Sequence, residues 1–237
     1  MSFVDLHSHV LYDLDDGSRD LAMSLEMLDA LAKLGVEEQC VTPHQKAGQY
    51  LPSWDRVEHA YTQVDGARQA HHPTLRLGAE NMWDHVFFER LEHNTFPTYA
   101  DSKAFLVEVP PQVLPPNLTE RLFALRLAGR VPVLAHPERY HALWDDEARA
   151  VELRRSCVFQ IDLPALAGFH GRREAKQARH FVEAGLAAAV ATDAHEPGDV
   201  EQAEQGLAWI AKRLGSSVAD RLFGAAPRAI LAGEFLD

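Results

Sequence analysis

Phe3-Val4-Asp5-Leu6-His7-Ser8-His9 is a short, mostly apolar run that ends in two histidines, and the chain repeats this device along its length. Gln39–Val41 leads into Thr42-Pro43-His44, Leu75–Leu77 into Gly78-Ala79-Glu80, and Ala104–Val107 into Glu108-Val109-Pro110. Val131–Leu134 leads into Ala135-His136-Pro137, and Ala187–Ala191 into Thr192-Asp193-Ala194-His195. Short apolar runs bounded by turn residues read as buried strands. Val158–Leu163 adds one more strand without such an ending. Helical spacing fills the gaps: Leu21, Leu25, Leu28 and Leu31 fall in a stretch from Ser18 or Arg19 to Leu34 that Gly35 closes. Further helices are predicted from Ser53 to about His71, over Trp83–Leu91 and Leu118–Leu127, over residues 142–155, over Arg173–Ala184 and Asp199–Leu214, and near Val218–Phe223. Alternating strand and helix with short connections predicts an α/β fold, a parallel (β/α)7 barrel forming one domain over residues 1–237. An open doubly wound sheet is the alternative, because periodicity does not reveal closure.

Composition narrows the function. Hydrophobic residues make up 46% of the chain, enough for a real core. The 35 acids outnumber the 23 Lys and Arg, leaving −12. That balance speaks against nonspecific binding of nucleic acid or an anionic membrane, which needs a basic face. No apolar run is long enough to span a bilayer, and the chain enters a strand with no basic and apolar leader before it. Cys40 and Cys157 read as buried thiols of a reducing compartment, so the expected location is the cytoplasm.

Polar groups at the C-terminal ends of barrel strands converge on one face. Imidazoles and carboxylates together there are metal ligands first. His7 and His9, two apart on extended backbone, point the same way. Asp193 and His195 repeat that alternation. In the acidic turn Asp13-Leu14-Asp15-Asp16-Gly17, Asp13 reads as solvated, Asp16 as the ligand and Asp15 as its rival. His44, Glu80, Glu108 and His136 complete the set, although either glutamate could instead pair with an arginine. Nine hard or borderline donors exceed what one zinc needs and imply two or three ions. Arg139 differs in kind. Guanidinium pairs with phosphate rather than with metal, so its expected role is to bind an anionic substrate; an ion pair with Glu138 or another loop acid is the alternative. His170, Arg172 and Arg173 are further candidate substrate contacts. His59, His71, His72, His85, His93, His141 and His180 read as surface residues.

These motifs together resemble the polymerase-and-histidinol-phosphatase (PHP) superfamily, and within it the manganese-dependent protein-tyrosine phosphatases of the CpsB/CapC type. The resemblance runs from His7-Ser8-His9 and Asp15-Asp16-Gly17 through Thr42-Pro43-His44, Gly48-Gln49-Tyr50, Gly78-Ala79-Glu80, Glu108-Val109-Pro110 and Ala135-His136-Pro137-Glu138-Arg139-Tyr140. It continues through Thr192-Asp193-Ala194-His195 to Ala226-Pro227 and Leu231-Ala232-Gly233-Glu234. It implies a distorted TIM-like barrel of the PHP type. It implies one ion held by His7, His9, Glu80 and Asp193, a second by Glu80, Glu108 and His136, and a third by Asp16, His44 and His195. Arg139 would contact the phosphoryl group. The ions implied are Mn²⁺, with Fe or Zn as alternatives, and the implied partner is a phosphotyrosine protein, a tyrosine autokinase of capsule or exopolysaccharide regulation. Two positions depart from the family: Ala79 stands where it often has Gln, and Glu196-Pro197-Gly198-Asp199 replaces a stretch that often carries an arginine. Lys46, Arg172 or Arg173 are the candidates to replace that cation.

The expected reaction is phosphomonoester hydrolysis. A cysteine-based phosphatase needs an arginine six residues after its nucleophile, but Lys46 follows Cys40 and Leu163 follows Cys157 at that offset. A histidinol-phosphatase-like enzyme and a non-catalytic metal-binding scaffold are the rival readings.

Overall fold

The structure is a computed structural model that describes residues 2–236, so the outermost residue at each end of the expected domain lies outside it. Nine strands occur among the described residues: β1 (Phe3–Asp5), β2 (Val36–Val41), β3 (His44–Gln45), β4 (Thr74–Leu77), β5 (Glu80–Met82), β6 (Ala104–Glu108), β7 (Val131–Ala135), β8 (Val158–Asp162) and β9 (Ala187–Ala191). All pair in parallel, in two sheets of order β1-β2-β4 and β3-β5-β6-β7-β8-β9.

The α/β class and the parallel pairing agree with expectation; a single closed sheet does not form among these residues. The reason is local. Thr42-Pro43 splits the second expected strand into β2 and β3, and proline has no N–H to give the ladder. Gly78-Ala79 splits the third into β4 and β5. A side chain at Gly78 would meet the Tyr99 ring at 3.1 Å, so the backbone passes close there. The two sheets still touch: Gly78 N–H donates to the Val41 carbonyl at 2.9 Å and Glu80 N–H to that of Pro43 at 3.2 Å. At the far side an isolated bridge joins Ser8 and Ala194. There His9 N–H donates to Ala194 O at 2.8 Å and Asp193 N–H to His7 O at 3.0 Å. The contacts between sheets therefore concentrate at the strand ends that carry the candidate ligands.

The helices begin and end where local chemistry dictates. Asp20 caps the helix Leu21–Leu34 by accepting from Met23 N–H, and Gly35 closes it in the left-handed conformation. The helix Trp54–Ala67 stops short of the expected His71. The segment 142–155 opens in a 3-10 turn, His141–Leu143, and becomes α-helical only from Glu147, where Asp146 caps. The apolar run Val158–Leu163 is strand only to Asp162; Leu163 opens a short helix, Leu163–Ala167, with Pro164 in its first turn. Proline suits that position and would break a ladder. The correction matters because it places Asp162 at a strand end. No helix among the described residues is long and apolar enough to cross a membrane.

Two apolar cores hold this arrangement. One lies between sheets and helices and contains Met27, Leu28, Phe105, Phe159, Phe181 and Ile210. The other contains Val4, Leu6, Cys40, Leu106, Val133 and Ala189, with Ile230, Leu231 and Phe235 packed on it. Strands buried on both faces explain why β6, β7 and β9 read as nearly unbroken apolar runs. Cys40 and Cys157 are buried free thiols.

Candidate metal centre

Glu80 is the hub of the strand-end residues. Its Oε2 lies 2.7 Å from His44 Nδ1, 3.4 Å from His7 Nε2 and 3.6 Å from His9 Nε2. Its Oε1 lies 2.9 Å from His136 Nε2. Asp193 Oδ1 is 3.2 Å from His7 Nε2 and 3.5 Å from His9 Nε2. Asp16 Oδ1 is 3.5 Å from His44 Nε2 and 3.6 Å from His195 Nε2. Among the described residues four groups have donor atoms within 4.8 Å of one another: His7, His9 and Asp193; His9, Asp16, His44 and His195; His44, Glu80 and Glu108; and, away from the strand ends, Asp29, His71 and His72. Every expected ligand thus reaches one cleft. The grouping differs in detail from the expected sets, since His9 faces two groups and His44 accompanies Glu108.

The backbone explains how they meet. Gly17 sits directly against the His9 carbonyl, at a distance a side chain would have to invade, so the loop 13–17 folds tightly over the end of the first strand. That fold brings Asp15, not only Asp16, into the site. His9 Nδ1–H donates to Asp15 Oδ2 at 2.7 Å, and Asp15 also accepts from the N–H groups of Gly17 and His44. Asp15 therefore orients a ring that presents Nε2 to the cleft, while exposed Asp13 pairs with Arg56. His195 Nδ1 similarly faces the Asp193 carbonyl at 2.8 Å. His136 and Asp193 both adopt left-handed backbone, with φ of 35° and 49°. Non-glycine residues hold such conformations where surrounding structure compels them, typically at functional sites.

The electrostatics fit divalent cations. Burial, followed by the neighbouring Glu80 charge, pushes Glu108 up to about 7. Burial pushes Glu138 up to about 7 as well, and Asp162 well above the carboxylate range. Burial also opposes charge on Glu80 and Asp193, but the adjoining imidazoles win and hold both well below it. Burial and Arg139 push His136 down to about 4, leaving a neutral ring. Three ring nitrogens surround Glu80 Oε2, yet this buried oxygen makes no well-formed hydrogen bond, and neither does Glu108 Oε2. Buried carboxylates without partners are costly. Donors converging in a mixed N and O set, some already paired as His136 Nε2 is with Glu80 Oε1 at 2.9 Å, are what shared metal coordination uses. The residues present fit divalent metal ions.

Arg139 stands beside the cleft, about one-third exposed. Its Nη2 donates to Asp162 Oδ2 at 2.5 Å and to Asp193 Oδ2 at 2.7 Å, and lies 3.4 Å from His170 Nδ1. The ion-pair alternative thus holds, with Asp162 and Asp193 rather than Glu138 as partners. Both pairs run through Nη2, so Nε and Nη1 are further donors. Glu138 turns away, accepting from Asp162 N–H at 3.0 Å. Lys46 Nζ lies 3.9 Å from Glu108 Oε2. Arg173 instead covers the Trp144 ring, and exposed Arg172 lines a groove with Lys176 and Arg179. Where the resemblance leads one to expect an arginine, Glu196 and Asp199 form a capping box on the helix Pro197–Leu214, and Asp199 accepts from His195 N–H at 2.8 Å.

Sequence reading missed Asp162, Glu138 and Gln160. The apolar run masked the end of the β8 strand, and only Pro164 signals it. It also placed His72 on the surface. His72 is buried, and its Nε2 lies 3.0 Å from Asp29 Oδ1, which exposed His71 shares at 2.7 Å.

Comparison with known proteins comes to the same place. The sequence profile of CpsB/CapC, described as capsular polysaccharide synthesis, matches residues 3–232. The chain is 30% identical to the tyrosine-protein phosphatase CpsB of Streptococcus pneumoniae over 245 residues, covering 98% of this chain and all of that one. It is 30% identical to the tyrosine-protein phosphatase YwqE of Bacillus subtilis over 204 residues, 81% of this chain and 77% of the other. A crystal structure from work on YwqE and CpsB, described there as unique metal-dependent tyrosine phosphatases, superposes with a TM-score of 0.89. That match has 26% identity and covers 100% of this chain and 96% of the other. A β-aspartyl dipeptidase structure from Fervidobacterium islandicum AW-1, 11% identical with a TM-score of 0.57, shares the fold alone; the match covers 97% of this chain and 72% of that one.

Proposed function

The chain belongs to the CpsB/CapC family of capsular polysaccharide synthesis, and from that premise we propose that it is a metal-dependent protein-tyrosine phosphatase. The observation that carries the reading is the convergence of His7, His9 and His44 on the unbonded Oε2 of Glu80. His7, His9, Asp193 and Glu80 would hold one ion. Glu80, Glu108, His136 and His44 would serve a second, and Asp16, His44 and His195 a third. Mn²⁺ is the proposed ion. When bound, such ions lower the pKa of water and neutralise phosphoryl oxygens.

The rest falls to the protein. Asp15 and the Asp193 carbonyl keep His9 and His195 turned so that Nε2 faces the cleft. Arg139 holds Asp193 through Nη2 and offers Nε and Nη1 to the phosphoryl oxygens, where a fixed guanidinium stabilises growing charge. A phenol has a pKa of about 10, so tyrosine leaves with less protonic help than serine. An aryl phosphate therefore suits a cleft whose residues include no evident dedicated acid. The seven strand-and-helix repeats form a distorted PHP-type barrel in this reading, with contact between sheets made chiefly at the site end. The proposed substrate is a phosphotyrosine protein of capsule or exopolysaccharide control, such as a tyrosine autokinase, in the cytoplasm.

The test is kcat/KM for a phosphotyrosyl peptide, a phosphoseryl peptide and histidinol phosphate with Mn²⁺ supplied. The phosphotyrosyl peptide should win clearly, and Cys40→Ser and Cys157→Ser should keep the activity. A wide win for histidinol phosphate would move the enzyme to small-molecule chemistry. Full activity after exhaustive chelation would end the metal mechanism.

A further inference from the structure

Gln160 lies in the middle of β8, fully buried, between Ala135 of β7 and Ala189 of β9 in the ladder. Nothing in its sequence surroundings marks it, and a buried amide among Val158, Phe159 and Ile161 is expensive unless it has a task. Its Nε2 is 3.0 Å from His7 Nδ1, and its Oε1 is buried without a hydrogen-bond partner. The other ring nitrogen of His7, Nε2, faces Asp193 at 3.2 Å and Glu80 at 3.4 Å. His7 therefore hangs between one amide and the cleft.

We propose that Gln160 is a positioning residue that prepares His7 to ligate a metal through Nε2. The proposal rests on the reading of His7 as a ligand. With the amide NH₂ donating to Nδ1, the ring proton sits on Nε2 and points at the carboxylates. Ligation needs the lone pair of Nε2, so the proton must sit on Nδ1 instead. A half-turn of the amide then brings Oε1 to Nδ1–H and gives the unpartnered oxygen its bond. Between the two arrangements one proton leaves Nε2 and one is taken up at Nδ1. The side chain can serve both states because an amide carries a donor and an acceptor on one carbon. His9 and His195 have fixed acceptors, Asp15 and a carbonyl, at the equivalent atom. Gln160 is the neutral counterpart of these, placed where a further buried charge beside Asp5, Glu80 and Asp193 would be unfavourable.

The test compares wild type, Gln160→Leu and Gln160→Glu after stripping with chelator. Mn²⁺ affinity and stoichiometry are read by competition with a chromogenic chelator, and thermal stability of each metal-free protein is recorded. Gln160→Leu should weaken one ion by roughly 10- to 100-fold, the usual cost of removing a partner that orients a ligand. Its metal-free melting temperature should stay close to wild type. Gln160→Glu, which retains an acceptor but adds a buried charge, should bind Mn²⁺ more tightly than Gln160→Leu does. In wild type loaded with diamagnetic Zn²⁺ in place of paramagnetic Mn²⁺, ¹⁵N chemical shifts of the His7 ring should report the proton on Nδ1. Unchanged Mn²⁺ binding in Gln160→Leu, or a proton on Nε2 in the loaded wild type, would overturn the proposal. If Gln160→Leu does not fold, the ring shifts decide it. A wild type that binds no Mn²⁺ at all would instead overturn the ligand reading on which it rests.

Discussion

Two or more histidines converge on one carboxylate in two separate places among the described residues, and the two differ in what the ring nitrogens have left to offer. Away from the cleft, His71 and His72 both direct Nε2 at Asp29 Oδ1. His72 Nδ1 accepts the Gln69 N–H at 3.2 Å, so the ring proton is on Nε2 and is given to Asp29. No lone pair remains facing the carboxylate. Asp29 is itself exposed, and its carboxyl is held below its usual range by the hydrogen bonds from His71 and His72. This is a clip between the helix Leu21–Leu34 and the turn that follows Trp54–Ala67. At the strand ends the order is reversed. Nδ1 of His9 and of His195 is engaged behind the ring, and Nε2 points at carboxylate oxygens, those of buried Glu80 and Asp193 for His9 and that of exposed Asp16 for His195. Proximity of His and Asp is common to both; at His9 and His195 the ring proton points away from the cleft, whereas His7 shares the clip's arrangement until the Gln160 amide turns.

The most damaging break should be Glu80→Ala. Glu80 faces four of the rings, so its loss should remove bound metal and lower kcat/KM beyond the roughly 10²–10³-fold cost of one preorganised donor. Metal analysis and steady-state kinetics check this, and near-normal metal content would mean the ions are held elsewhere. Arg139→Ala should follow, with roughly 10²-fold lower kcat/KM. Because Arg139 also holds Asp193, metal affinity should fall as well, and Arg139→Lys should restore binding better than catalysis. An Arg139→Ala enzyme of normal activity would leave the residue as a strut alone.

Acidity sharpens the contrast next. Glu108 is raised from 4.5 to about 7 by burial and Glu80. Its proton is held more tightly in the folded, metal-free chain, so its contribution to stability is largest below pH 4.5 and fades as pH rises toward 7. An ion must displace that proton. Mn²⁺ affinity should therefore climb with pH up to about 7 and then flatten, with proton release seen by calorimetry in buffers of different ionisation heat. A flat profile would remove Glu108 from the ligand set. The smallest effect belongs to the clip. Asp29→Ala should leave metal stoichiometry and kcat/KM unchanged and shift the melting temperature little; a lost ion in that variant would erase the distinction drawn here.

Much of the site could be read from local sequence because strand ends are local events. An apolar run buries, a Pro or Gly stops the ladder, and the next polar residue is left at the rim. His44 after Pro43 and Glu80 after Gly78 follow that rule, while His7, His9, Glu108, His136, Asp193 and His195 stand at or just past the end of an apolar run without such a stop before them. Where the stop signal was weak the reading slipped: Asp162 was hidden because Leu163 continued the apolar run, although Pro164 ends the strand. Gln160 had no signal at all, since an amide within a strand is ordinarily only a polar residue on one face.

By itself the sequence determined which donors this protein carries, that they stand at the ends of parallel strands, and the CpsB/CapC likeness. Only the tertiary structure decided which carboxylate faces the cleft and which stands behind a ring. It separated Asp15 from Asp16, tied Arg139 to Asp162 and Asp193, and set Gln160 against His7 across 153 residues of chain. It also decided that the strands form two sheets joined near their ligand-bearing ends rather than one closed ladder. The physical reason is reach. Backbone propensity and burial act over a few residues, whereas the direction of a ring proton is set by whichever neighbour the whole fold brings to the other nitrogen.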